Sequence, residues 1–285
     1  MIIIKQKTSG YILLSFVVYN NIMEKKMKID VSICENFFAP KCIDRIQNFD
    51  TRNSHAMAYS KCNFSCAFCK YAVKTEHKPN YMKIEDFKLR VSELIKKGNM
   101  FKFTGGEPCL NIYLEEELKI VKQNNGIVFL DTNGSLPIVV EKLLEKNLID
   151  VLGISLKGLT KEDAVATAGI RNSNLCWDNV LKTIALSSKY KNVRTIVTFV
   201  AYNDFNYKDM QKFADILDKL GDRLYLKINN LCGEKRKDKS LKPLNREKLQ
   251  EIIKQFLNRN KKWKGRIILI NDSRAVTEYN AIEFY

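Results

Sequence analysis

The sequence contains no second C-x-x-C pair, no internal repeat, no low-complexity tract and no apolar run long enough to cross a bilayer. Structural zinc sites are commonly built from two such pairs, so their absence weighs against a zinc ribbon or finger. The absence of a repeat excludes a solenoid. Tyr11 to Tyr19 is apolar but has only nine residues, far short of the ~20 that a spanning helix needs. Only Lys5 and Lys7 precede it and no small-residue cleavage site follows, so it reads as a buried strand rather than a signal peptide. Met23 or Met27 would serve as an alternative start.

Even lacing of cysteines is also missing. Of eight, Cys62, Cys66 and Cys69 are clustered, whereas Cys34, Cys42, Cys109, Cys176 and Cys232 stand singly. A secreted disulfide scaffold would be shorter and more evenly laced. A cytoplasmic protein with no membrane association is expected. The net charge is +16, mostly from lysine. Its densest runs, Lys235 to Lys242 and Arg259 to Lys264, read first as solvated faces. The second reading is contact with an anionic partner, namely RNA, a nucleotide or an acidic protein.

What is present is enough for one substantial core: 285 residues, 45% of them hydrophobic. From residue 56 the chain alternates. Short strands are predicted at Ala56 to Ser60, Met100 to Phe103, Ile127 to Leu130, Val151 to Ile154, Val193 to Ala201 and Leu224 to Ile228. Helical spacing intervenes, as in Ile84, Phe87, Val91, Leu94 and Ile95. Gly158 to Cys176 reads as a long connection, and Arg266 to Ile270 as a last strand before an aromatic tail. Strands alternating with helices predict a parallel α/β sheet. The core is shorter than the ~250 residues of a closed eight-unit barrel, so an open, partial (β/α)6 barrel is expected. The division is an N-terminal extension (1–55), a core (56–232), and a basic loop, helix and strand that complete the barrel (233–285).

Suspicious motifs fall at the C-terminal ends of these strands, where reactive residues of such folds gather. Three thiols at C-x3-C-x2-C spacing can grip a soft-metal centre, but are one short of the four cysteines of an ordinary iron–sulfur cluster. Zinc would need a fourth ligand such as Cys34, Cys42, Cys109, His55 or His77. Thr104-Gly-Gly-Glu-Pro108 stops the second strand on two glycines, which let backbone approach a ligand closely. Asp131-Thr-Asn-Gly134 and Ser155-Leu-Lys157 end the next two strands.

C-x3-C-x-aromatic-C followed by Gly105-Gly106-Glu107-Pro108 resembles the radical S-adenosylmethionine (radical SAM) enzymes, over roughly residues 56 to 231. Asp131-Thr-Asn-Gly134 with Lys157 is similar to the branch that activates glycyl-radical enzymes, typified by pyruvate formate-lyase activating enzyme. That branch reads Asp-x-Lys where this chain has Ser155-Leu-Lys157. The resemblance implies one [4Fe–4S] cluster on Cys62, Cys66 and Cys69, with SAM chelated at the iron that no cysteine binds. Phe68 would lean on the adenine. Gly105, Gly106 and Glu107 would meet the methionine amino group, and Asp131, Thr132 and Lys157 would steer the carboxylate or ribose. It further implies reductive cleavage of SAM to a 5′-deoxyadenosyl radical, with ferredoxin or flavodoxin as reductant. The radical would activate a glycyl-radical enzyme. The alternatives are modification of RNA or a nucleotide, or of a ribosomal peptide. A non-catalytic iron–sulfur or zinc-binding module is the reading outside enzymes.

Overall fold

The protein is described here from a computed structural model, which describes residues 28–37, 54–69, 80–231, 236–271 and 282–285. Tyr11 to Tyr19, Met23, Met27, Cys42, His77 and Cys232 lie outside the described residues. The first described elements are two strands, β1 (Lys28–Asp30) and β2 (Ser32–Phe37). The alternating region then runs β3 (Ser54–Tyr59), β4 (Tyr81–Lys83), α1 (Ile84–Leu94), β5 (Met100–Gly105), α2 (Leu114–Gln123), β6 (Ile127–Thr132), α3 (Pro137–Glu145) and β7 (Val151–Ser155). It continues with α4 (Lys161–Ala168), α5 (Asn179–Ser187), β8 (Arg194–Ala201), α6 (Tyr207–Asp218), β9 (Tyr225–Asn230), α7 (Arg246–Arg259), β10 (Ile267–Ile270) and β11 (Ile282–Phe284).

Among the described residues the main sheet has nine strands, in the order β11-β10-β9-β8-β7-β6-β5-β3-β2. From β3 to β10 every neighbouring pair is parallel. β2 and β11 are antiparallel edges that do not pair with each other. This is an α/β partial barrel, open between its edges, as expected. β2 lies within the expected N-terminal extension yet pairs with β3, from Ser32 opposite Ala58.

Alternation along the strands separates two cores. Phe101, Phe103, Val128, Leu130, Leu152, Ile154, Val197 and Leu226 face the helices in the large outer core. Met100, Phe129, Val151, Ile196 and Ile268 form a smaller cluster on the inner face. Because side chains alternate with period two, Lys102 and Thr104 share the inner face with Met100, and Asp131 shares it with Phe129. The inner face therefore changes from apolar to polar toward the C-terminal strand ends, and the cavity opens there.

The expected connection from Gly158 to Cys176 holds a helix, α4. The Thr160 hydroxyl caps it by accepting from the Asp163 N–H at 3.1 Å. Gly169 ends it in the left-handed region at φ +63°. Its buried face is only Ala164, Thr167 and Ala168. Such small side chains give almost no apolar periodicity, so the helix leaves no trace in a hydrophobic pattern.

Candidate active site

Residues 60–69 form the loop after β3, and two sets of backbone bonds fix its course. On the β5 side, Gly106 N–H donates to the Tyr59 carbonyl and Glu107 N–H to the Lys61 carbonyl, both at 2.7 Å. This approach requires glycine. A Cβ on Gly106 would lie 2.0 Å from the Lys61 oxygen, and one on Gly105 would lie 2.6 Å from the Tyr59 nitrogen. On the other side, Ser65 and Ala67 N–H donate at 2.9 Å to the carbonyls of Ala168 and Thr167, at the end of α4.

The loop then borders a cavity of about 320 Å³. Cys62, Cys66, Cys69 and Phe68 line it. Gly105, Gly106, Asp131, Thr132 and Lys157 line it as well. All three cysteines are free thiols. Burial pushes the Cys62 and Cys66 thiols above their ordinary values, although Lys157 pulls both the other way. Among the described residues, no three His, Cys, Asp or Glu side chains form a group that could hold a single metal ion. A cluster makes a different demand, since its thiolates bind different irons. Three free thiols around one cavity, which bare glycine backbone also lines, fit such a group.

Of the alternative fourth zinc ligands, His55 and Cys109 are placed by the described residues, and both sit elsewhere. His55, on β3, is buried with Nε2 3.0 Å from the Leu94 carbonyl and 3.1 Å from that of Gly98. Cys109 is buried with its Sγ 3.6 Å from Thr132 Oγ1. Neither lines the cavity.

Glu107, expected beside the two glycines at a ligand's amino group, does not line the cavity. It is 1% exposed. Its carboxylate accepts from Thr132 Oγ1 and Asn133 N–H, both at 2.6 Å, and from Cys109 N–H at 3.0 Å. It thus pins the β5 loop to the end of β6. Burial acts to raise its pKa, and these donors only partly offset that.

Electrostatics on the inner face centre on Asp131. Lys102 Nζ lies 2.7 Å from its carboxylate, and Thr104 Oγ1 donates to it at 3.3 Å. Burial would raise the Asp131 carboxyl, but Lys102, Lys227 and Lys157 outweigh it and hold the group below its ordinary value. Lys157 places its ammonium 5.3 Å from the centre of the Phe68 ring. Phe68 also stands 6.4 Å from the Tyr202 ring.

Several cavity residues were not singled out from the sequence, although Thr104, Asn133 and Ser155 lie inside its strand-ending motifs. Asn133 lines the cavity and donates to Asn63 Oδ1 at 2.7 Å, and Asn63 Nδ2 donates to Ser135 Oγ at 2.9 Å. Ser60, Ser65, Thr104 and Ser155 also face it. Lys102 was hidden inside an apolar strand, where only its odd polarity beside Phe101 and Phe103 marks it.

Comparison with known proteins agrees with this geometry. A family model for the radical SAM superfamily matches residues 58–217, more than half of the chain. A probable GTP 3′,8-cyclase of Saccharolobus islandicus is 29% identical over 163 residues, which cover 56% of this chain and 51% of that protein. The S-adenosyl-L-methionine-dependent tRNA 4-demethylwyosine synthase of Methanocaldococcus jannaschii is 28% identical over 171 residues, covering 59% and 50%. The chain spans about half the length of the curated relatives it matches. Among solved structures, TYW1 with a lysine-pyruvate adduct bound superposes with a TM-score of 0.57 at 18% identity, covering 85% of this chain and 89% of that one. Streptococcus suis SuiB bound to S-adenosylmethionine gives 0.59 at 17% identity, covering 79% and 52%. At these identities the structural likeness concerns the fold.

Proposed function

The chain belongs to the radical SAM superfamily, a family of enzymes that use a [4Fe–4S] cluster and SAM, and we propose that it modifies a nucleotide or an RNA. One observation carries this choice of substrate. The two curated relatives described above are a GTP cyclase and a tRNA-modifying synthase. The reading as a glycyl-radical activase rests on Asp131-Thr-Asn-Gly134 and Lys157 alone. The relatives support the nucleotide reading over it. The rim charge is consistent with this, since Lys239 and Lys242 are exposed on the loop that follows β9.

Cys62, Cys66 and Cys69 are the residues that would hold the cluster. When bound with SAM and reduced, it supplies a 5′-deoxyadenosyl radical for hydrogen abstraction. The protein's own contribution is placement and exclusion of water. Gly105 and Gly106 present bare backbone to the cavity. Thr132 and Asn133, aligned by Glu107, present polar groups beside it. Asp131, held ionised by its three lysines, would accept hydrogen bonds from a ribose or an ammonium. Lys157 would meet a carboxylate from its place beside the Phe68 ring. An external one-electron reductant such as ferredoxin or flavodoxin is required.

The test is anaerobic incubation of the reconstituted protein with SAM, a reductant and either GTP or unfractionated tRNA. The expected result is 5′-deoxyadenosine formation that rises with one of these substrates, and transfer of deuterium from a labelled substrate into it. Binding of RNA should also weaken steeply with salt. A rise with neither GTP nor tRNA, but with a partner protein, would return the activase reading.

A further inference from the structure

The basic run after β9 does something that neither a solvated face nor an RNA contact requires. Asp238 N–H donates to the Ala67 carbonyl at 2.8 Å. Lys237 Nζ reaches Ser65, 2.9 Å from Oγ and 3.3 Å from the carbonyl oxygen. Ser65 and Ala67 are the residues on either side of Cys66. Their N–H groups already bond to the end of α4. Besides its bonds on the β5 side, the loop carrying Cys62, Cys66 and Cys69 is therefore gripped by α4 and by a strap that lies 172 residues away in the chain.

The strap is itself anchored. Asn203 N–H donates to the Lys242 carbonyl at 2.8 Å, and Lys242 N–H returns a bond to Asn203 Oδ1 at 2.8 Å. The buried Asn230 side chain, at the end of β9, donates to the Leu244 carbonyl at 2.8 Å and accepts from Leu244 N–H at 3.0 Å. Asp238 accepts from Ser240 N–H at 2.8 Å and Ser240 Oγ at 2.7 Å, which folds the strap into a tight turn where it meets the loop. The strap thus ties the cysteine loop after β3 to the ends of β8 and β9. Gly169 leaves room for the grip, since a Cβ there would lie 2.4 Å from the Ser65 oxygen that Lys237 approaches.

We propose that Lys237 is a positioning residue for the cluster, clamping the Cys66 segment and placing a positive charge beside it. Two effects follow from elementary chemistry. The clamp restricts the loop's freedom, so a cluster bound by three thiolates is released more slowly. The ammonium favours the more negative, reduced state, because cluster potentials depend on nearby charge, hydrogen bonding and exposure. Lys237 is exposed, so salt weakens this second effect.

The test compares anaerobically reconstituted wild type, Lys237→Met, Lys237→Arg and Lys239→Met. Lys239 is an exposed lysine of the same strap, so its variant loses the same charge two residues away. Iron release to a chelator and the midpoint potential of the cluster, read by electron paramagnetic resonance, are measured for each. Lys237→Met should release iron about fivefold faster, the factor that about 1 kcal/mol of lost anchoring gives. Its potential should fall, by more at low salt than at high salt. Lys237→Arg should restore both quantities, and Lys239→Met should match wild type. Release and potential unchanged in Lys237→Met would overturn the proposal. So would Lys239→Met changing both as far as Lys237→Met does.

Discussion

Glu117 offers a perturbation whose sign is unusual: removing a charge should stabilise the protein, by an amount that grows as pH rises from 4.5 to about 7. The residue lies in the first turn of α2 and is fully buried. Its carboxyl accepts from the Tyr59 hydroxyl and, at 2.7 Å, from Asn111 Nδ2. Burial pushes its pKa up to about 7 from 4.5, with Asp30 adding to the rise and the two donors opposing it. A folded-state pKa above the unfolded one means that folding takes up a proton between these values. Below pH 4.5 both states are protonated and stability is unaffected. As pH rises from there to 7, the unfolded carboxyl ionises freely while the folded one resists, so stability falls. Above pH 7 the loss levels off. With ~1.4 kcal/mol per pH unit, the loss is on the order of 3 kcal/mol. Glu117→Gln cannot ionise. Its amide oxygen can accept from Asn111, and its amide N–H can donate to the Tyr59 oxygen, because that hydroxyl rotates. Urea unfolding of both proteins, matched for cluster content, from pH 5 to pH 9 is the assay. The two should be within about 1 kcal/mol at pH 5, and the variant should be more stable by up to about 3 kcal/mol at pH 8.5. A difference that does not change with pH, or that grows in favour of wild type, would refute the reasoning.

The same isosteric change at Glu107 should do the opposite. Two of its three donors are backbone N–H groups, which cannot turn away from an amide NH2. Glu107→Gln should cost about 1–3 kcal/mol in thermal or urea unfolding at neutral pH, and should lower SAM binding through displaced Thr132 and Asn133. Gly106→Ala must open a contact of 2.0 Å with the Lys61 oxygen. It should cost about 1–3 kcal/mol and reduce the iron retained after reconstitution. Changing Cys62, Cys66 or Cys69 to Ala should abolish both cluster retention and SAM cleavage, measured as iron content and 5′-deoxyadenosine. Cys109→Ala, by contrast, should leave iron content unchanged.

The loop from Cys62 to Cys69, the strand-ending motifs and the alternation of strands and helices were legible because each is local. Cysteine spacing, a glycine pair and a hydrophobic period are properties of consecutive residues. The sheet order follows from them, since parallel strands joined by helices add side by side. The aspartate and lysine motifs at Asp131 and Lys157 were legible as rim positions for the same reason. Their partners were not. Lys102 and Asp131 meet because β5 and β6 are neighbours in register, with Phe103 opposite Leu130, and no pattern within either strand announces it. The direction of the Glu107 carboxylate was not legible, because a motif gives the position of a residue but not where its side chain turns. Its carboxylate turned to three donors supplied by Thr132, Asn133 and Cys109. α4 was invisible because alanine and threonine carry too little apolar contrast.

The sequence by itself determined the family, the three thiols and the edge of the sheet on which they sit. Only the tertiary structure decided what holds that loop in place. Its supports come from β5, from the end of α4 and from Lys237 and Asp238. These segments are far apart in the chain and are brought together by the curvature of the sheet, which one-dimensional spacing does not encode. A lysine in a basic run reads as solvated until the fold sets it 2.9 Å from a serine beside Cys66.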